Sequence, residues 1–215
     1  MSMEDKWIDV GTVLSPGIPV WPGDPAFQIK RLNTIEKDGF NLSYASMSLH
    51  TGTHIDAPAH YIDGGATVDQ IAPERLAGPA KVFEAPGKII TAQTLQNLDI
   101  SKGDRVILKT DNSTIDWPSR PFMKEYAHLD ESAAHFLVQK QVNLVGIDYL
   151  SIGSFEGGEE THRILLGANI IVVEGLRLAN VEPGLYDMIC MPLKVAADGA
   201  PTRALLKKRQ EGNLI

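Results

Sequence analysis

Residues 49–61 read "LHTGTHIDAPAHY", a stretch that holds His50, His54, Asp56 and His60 within eleven consecutive positions. Its geometry constrains everything around it. A helix would stack His50 over His54, the spacing used by helical zinc proteases. However, Thr51, Gly52, Thr53, Ile55 and Pro58 are poor helix formers, and no Glu follows His50 to act as base. A straight strand fails as well, since ~3.3 Å per residue puts the two histidine Cα atoms ~13 Å apart. Two imidazoles cannot reach one ion at ~2 Å from that separation. The chain must bend between them, and Gly52 is the residue that permits it. A strand, a glycine bend and a loop stiffened by Pro58 let His50, His54 and Asp56 converge. Two imidazoles and one carboxylate suit zinc or manganese and leave coordination positions open. His60 is then a fourth ligand or a proton shuttle beside bound water.

The rest of the chain narrows the setting. At 215 residues it suits one domain spanning 1–215, and a hydrophobic content of 43% is that of a globular protein. A net charge of −7 argues against a general nucleic-acid or membrane-surface binder, which needs a basic patch. The longest apolar run, 170–173, is too short to span a bilayer, and "MSMEDKWIDV" lacks the apolar core of a secretory leader. The single cysteine, Cys190 in "MICMP", reads as a buried core residue in a reducing, cytoplasmic setting. Lys207, Lys208 and Arg209 read as a solvated C-terminal tail.

Short elements joined by tight turns follow from 19 glycines and 13 prolines spread along the chain. "WIDVGTVL" (7–14) predicts an opening strand, and "SPGIPVWPGDP" (15–25) a loop. "NLSYASMSL" (41–49) alternates and predicts a strand running directly into His50. "AKVFEAP" and "DRVILKT" predict further strands. "TAQTLQNLD" predicts a helix capped by Thr91, and "DESAAHFLVQKQ" a helix after Asp130. "VNLVGID" and "NIIVVEGL" predict central strands buried on both faces. Helix then buried strand, twice over, indicates an α/β domain. Glu174 ends the second of these strands, where a buried carboxylate needs a metal, an Arg or a backbone N–H as partner. His128 and His135 read as surface or packing residues, Trp21 as an anchor over the core, and Asp24 and Asp148 carry no assigned role.

The same residues resemble a known family. "HTGTHIDAPAH" is similar to the signature of the metal-dependent cyclase-family hydrolases, which include bacterial kynurenine formamidases and the more distant isatin hydrolases. "VWPGDP", "THRILLGANIIVVEGL" and "PLKVAADGAPTRALL" resemble further family segments, so the likeness spans nearly the whole chain. The resemblance implies a compact α/β domain with a mixed sheet, of the swivelling β/β/α type, acting as a homodimer or homotetramer. It implies that His50, His54 and Asp56 bind a first ion, with Asp56 bridging to a second held by His162 and Glu174. The ions would be zinc, one or two, with manganese as the alternative. His60 would be the general acid/base, and Trp21 would line the substrate pocket. The implied activity is hydrolysis of N-formyl-L-kynurenine in tryptophan catabolism. The alternatives are opening of a cyclic amide or lactone, as isatin hydrolases do, or a non-catalytic metal-stabilised binding domain. The chain departs from the formamidase pattern at "FEGGEETH" (155–162) and at Thr53, where many of those enzymes have Ala. Gly-rich "SFEGGEE" (154–160) is a candidate lid.

Overall fold

The computed structural model describes residues 6–209. Its strands in chain order are β1 (Ile8–Asp9), β2 (Gln28–Asn33), β3 (Leu42–Ser46), β4 (His54–Asp56), β5 (Ala77–Glu84) and β6 (Ile89–Ile90). They continue as β7 (Arg105–Lys109), β8 (His128–Leu129), β9 (Leu144–Ile147), β10 (Ile171–Glu174), β11 (Gly184–Pro192) and β12 (Gly199–Lys208). The helices are α1 (Ile35–Asp38), α2 (Pro73–Leu76), α3 (Ala92–Leu95), α4 (Glu131–Lys140) and α5 (Glu159–Gly167).

The mixed sheet runs β12-β11-β5-β7-β9-β10-β4, and β4 pairs again with β12, so seven strands close into a barrel. Strands β5, β7, β9 and β10 are parallel, while β4, β11 and β12 join antiparallel. Closure leaves no open edge along these seven strands. The β-branched runs in β9 and β10 are fully buried, as expected for strands covered on both faces. Side chains alternate across that wall. Ile107, Leu144, Ile171 and Val173 fill the barrel with Ile55, Met188 and Leu206. Val106, Leu108, Val145 and Val172 face outward and pack under Ala133, Leu137, Leu165 and Leu166 of α4 and α5. Asp130 caps α4 by accepting from Ala133 N–H, and Thr91 caps α3 by accepting from Thr94 N–H.

Three expectations change. The opening strand shrinks to Ile8–Asp9, paired with β12, and Gly11 N–H turns instead to Asp9 Oδ1 at 3.0 Å. The strand expected to deliver His50 stops at Ser46 and pairs only with β2, forming a hairpin that stands outside the barrel. Its alternation places Leu42 and Tyr44 about half exposed rather than against the core. The expected basic tail is instead the end of β12. Lys208 pairs with Glu182 at 2.6 Å, and Arg209, just past the strand, pairs with Asp187 at 2.9 Å. Cys190 is buried in the barrel core, as expected, and burial pushes its thiol up to about 12. Among the described residues no helix is long and apolar enough to cross a membrane.

Candidate metal centre and active site

The site lies where β4 meets β10 on the helix-covered face of the barrel. In the antiparallel register Glu174 opposes His54 and Val172 opposes Asp56. Directly paired residues share a face, as do alternate residues on one strand, so His54, Asp56 and Glu174 project together. Ile55 and Val173 point the other way, into the core. Helix α5 carries His162 over this patch. His50 comes from a turn in which Thr51 N–H donates to Ser48 O at 3.2 Å. The bend expected at Gly52 is present, with φ +69°, and Gly175 (φ +70°) packs against it. A Cβ on Gly175 would stand 2.3 Å from Gly52 O, so that position accepts no side chain without moving backbone, while at Gly52 the left-handed φ itself favours glycine.

The hydrogen bonds fix the imidazoles. His54 Nδ1 lies 2.9 Å from Gly52 O, and His162 Nδ1 lies 2.8 Å from Gly158 O. A carbonyl only accepts, so both Nδ1 atoms carry the proton and both Nε2 atoms face inward. His54 Nε2 is 3.4 Å from Asp56 Oδ1 and 3.3 Å from Glu174 Oε2. His162 Nε2 is 3.1 Å from Glu174 Oε1 and 3.8 Å from Asp56 Oδ2. A bare Nε2 lone pair against a carboxylate oxygen is repulsive, so a cation belongs between them, a proton or a metal ion. A backbone carbonyl on the far ring nitrogen is the arrangement that orients metal-binding histidines. Asp56 Oδ2 is fully buried and, among the described residues, has no hydrogen-bond partner, which costs free energy unless an ion meets it. The ligand atoms of His50, His54 and Asp56 lie within 4.8 Å of one another, and so do those of Asp56, His162 and Glu174. Asp56 is common to both groups.

Electrostatics separates the histidines. Burial opposes charge on His54, but the hydrogen bonds and charges of Asp56 and Glu174 outweigh it and raise the ring to about 10. His162 rises to about 9 against its burial, chiefly through Glu174. Asp56 is held well below the carboxylate range, its burial overcome by His50 and His54. Glu174 is lowered as well; burial and Asp56 push it up, and His162 and His54 prevail. His60 goes the other way, below the ordinary 6.5. Burial is the main cause, and His50 and His162 add to it against the pull of Asp56.

The outer part of the site is more open. His50 Nδ1 contacts Asp56 Oδ1 at 2.9 Å and its Nε2 contacts Asp198 Oδ2 at 2.9 Å. The same Asp198 oxygen is 3.4 Å from His60 Nδ1, and the His50 and His60 rings stack 4.1 Å apart. Asp198 escaped the sequence reading. It lies just before β12, and its carbonyl accepts from Ala57 N–H at 2.8 Å. Its position beside "GAPTR" in the closing segment was the available signal. Tyr61, stacked 4.8 Å from His162, was also missed. Trp21 lines a cavity of about 350 Å³ together with His50, His54, His60, His162 and Glu174. Its indole packs edge-on to Phe122 at 5.3 Å and against Phe155 at 5.4 Å. Phe155 lies within the candidate lid, whose last two residues, Glu159 and Glu160, form the first turn of α5. His135 is exposed and His128 half-buried, both away from the cluster.

Six of the seven expected site residues therefore line one cavity, and the seventh, Asp56, is buried in contact with His50 and His54 of its lining. Fold and site together define an α/β barrel carrying a buried His–carboxylate cluster of metal-binding type. Residues 8–154 match the Cyclase family model, described as "Putative cyclase". Cyclase-like protein 1 of Arabidopsis thaliana is 37% identical over 217 residues, covering 94% of this chain and 85% of its own. The kynurenine formamidase of Geobacillus thermodenitrificans (strain NG80-2) is 36% identical over 211 residues, covering 96% and 99%. Among solved structures, a predicted metal-dependent hydrolase from Bacillus stearothermophilus has a TM-score of 0.84 at 39% identity, covering 95% of this chain and 98% of that one. Isatin hydrolase A from Ralstonia solanacearum is more distant, at TM-score 0.79 and 25% identity, covering 95% and 92%. The chain belongs to the cyclase family.

Proposed function

We propose that this chain is a metal-dependent hydrolase of amide C–N bonds, and specifically an arylformamidase that converts N-formyl-L-kynurenine to L-kynurenine and formate. The observation that carries the metal reading is the inward-facing Nε2 atoms of His54 and His162 set against two buried carboxylates, one with an orphaned oxygen. In this reading His50, His54 and Asp56 hold one ion, and Asp56, His162 and Glu174 hold a second. An all-N/O set without thiolate suits zinc, with manganese as the alternative. A divalent cation held there supplies an activated water near neutral pH and positive charge beside the scissile carbonyl. The chain's own residues do the rest. His60 directs Nδ1 toward Asp198 and keeps Nε2 for the reaction. It takes a proton from the attacking water and returns one to the leaving arylamine nitrogen. Its lowered pKa keeps it neutral, and so ready as a base, at pH 7. Trp21 offers an aromatic face to the aryl ring.

The formamidase reading is supported by the near-complete coverage of the Geobacillus relative. A cavity of this volume fits a small-molecule substrate. Assembly as a homodimer or homotetramer is supported by Ile29, Leu32, Leu42 and Tyr44, about half exposed on a two-stranded hairpin that is marginal in water without further packing. A solution mass of one chain would discard that assembly.

The test of function is hydrolysis of N-formyl-L-kynurenine, followed by kynurenine absorbance, with native, chelated and zinc- or manganese-reconstituted protein. Metal-dependent kcat/KM of about 10⁴ M⁻¹s⁻¹ or above is expected. Bound metal without turnover would discard the formamidase assignment and direct the search to cyclic amides and lactones.

A further inference from the structure

The segment Trp21-Pro22-Gly23-Asp24 is a β-turn closed by Asp24 N–H donating to Trp21 O at 3.0 Å. Pro22 occupies its second position and Gly23, with φ +104°, its third, the pattern of a type II turn. Nothing lies within 4 Å of where a Gly23 Cβ would stand, so glycine serves the backbone angle here and not the packing. Such a turn holds the first and fourth Cα atoms within about 7 Å, which sets Trp21 and Asp24 side by side. Both line the cavity that contains the histidine cluster.

The charges in that cavity are unequal. Glu174 and Asp198, its other acidic residues, are each within hydrogen-bond distance of histidines. Among the described residues the half-buried Asp24 carboxylate has no hydrogen-bond or ion-pair partner. No Lys or Arg lines the cavity. A free carboxylate next to an aromatic face, with no cation opposite, is complementary to an aryl compound bearing an aliphatic ammonium.

We propose that Asp24 is a specificity-determining residue that binds the side-chain ammonium of an aryl substrate whose ring lies against Trp21. The inference rests on the reading of the cavity as an aryl-amide site. It adds that the cavity selects for an ammonium group, whereas a substrate carboxylate finds no side-chain cation there.

The test is calorimetric binding to the full-length protein with its native metal content. Three probes are compared: kynuramine, which carries a side-chain ammonium and no carboxylate; ortho-aminopropiophenone, which lacks the ammonium; and des-amino kynurenine, which keeps only the carboxylate. Kynuramine is expected to bind at least about tenfold more tightly than either, the lower end for a charge-assisted hydrogen bond. In Asp24→Asn that preference should shrink to within about twofold. Equal binding of the three probes by the unmodified protein, no measurable binding of kynuramine, or a preference that survives Asp24→Asn would each overturn the proposal. Because binding is read without turnover, failure to hydrolyse formylkynurenine would remove the formamidase reading and leave this comparison to decide on Asp24.

Discussion

The inner and outer walls of the cavity use the same side chains in opposite ways. The inner wall comprises His54, Asp56, His162 and Glu174, none more than 5% exposed, on β4, β10 and α5. The outer wall comprises His50, His60 and Asp198, with side chains 17%, 26% and 47% exposed, on turns and strand ends. Inside, two carboxylates press on two histidines whose Nδ1 atoms are already committed, and the rings are raised to about 10 and 9. Outside, burial, with His50 and His162 adding to it, lowers the pKa of His60, whose ring stacks on His50. In the proposed reading His54 and His162, together with His50, hold cations between the acids, while His60, partly buried beside other imidazoles, is left to carry protons.

The comparison breaks most directly at Asp56, which is common to both proposed ion positions. Asp56→Asn should abolish activity and metal retention, read by turnover and elemental analysis. It should also destabilise the fold by about 3–5 kcal/mol, because one partner leaves a buried charge set. Full metal content in that variant would sink the two-group assignment.

At His60 and Asp198 on the outer wall the effect should fall mainly on rate. His60→Ala is expected to lower kcat about 10²–10⁴-fold, the range for a lost general acid/base, with bound metal unchanged. Asp198→Asn, which removes the carboxylate facing His60 Nδ1, should cost about 10–100-fold in kcat with KM within about threefold. If His60→Ala loses its metal, His60 is a ligand and the two walls are not functionally distinct.

Proton release sharpens the contrast further. His54 and His162 are raised above the ordinary 6.5, so at pH 7 the metal-free protein carries an additional proton on each and must shed both to bind an ion. Metal affinity should climb with pH, by up to about 100-fold per unit while two protons leave, and level off once the pH passes about 9–10. The linkage to folding has the matching sign. The contribution of these raised groups to metal-free stability is full below about 6.5 and is lost as pH rises through about 9–10. Calorimetry in buffers of differing ionisation enthalpy counts the protons, and release of fewer than one would contradict the inner-wall account.

Legibility in the sequence follows the same division. His50, His54, Asp56 and the bend at Gly52 could be read locally, since spacing and a glycine determine their convergence. Glu174 showed itself as an acid ending a buried β-branched run. His162 did not, because a histidine in the first turns of a helix looks like a surface residue until the helix is placed over β10. Asp198 acquires its role only when β12 closes the barrel on β4, a pairing across more than a hundred residues that local pattern does not carry. The alternation in 41–49 misled for a related reason. Period two announces a strand but not which sheet receives it, and these residues joined a hairpin outside the barrel.

The smallest expected effect lies directly behind the inner wall, at Thr53. Its Oγ1 accepts from Thr12 N–H at 2.8 Å and donates to Gly175 O at 2.6 Å, tying the N-terminal segment to the residue after Glu174. Thr53→Ala leaves Gly175 O bonded to Thr12 Oγ1 at 3.0 Å but strips Thr12 N–H of its partner. Loss of stability of about 1–3 kcal/mol in thermal or denaturant unfolding is therefore expected. Activity should stay within about twofold, because Gly52 and Gly175 still set the positions of His54 and Glu174 through their backbones. A large fall in kcat with little loss of stability would mean that the hydroxyl positions the acids itself, and the rigidity credited to the two glycines would have to be reassigned to the Thr12–Thr53–Gly175 bonds.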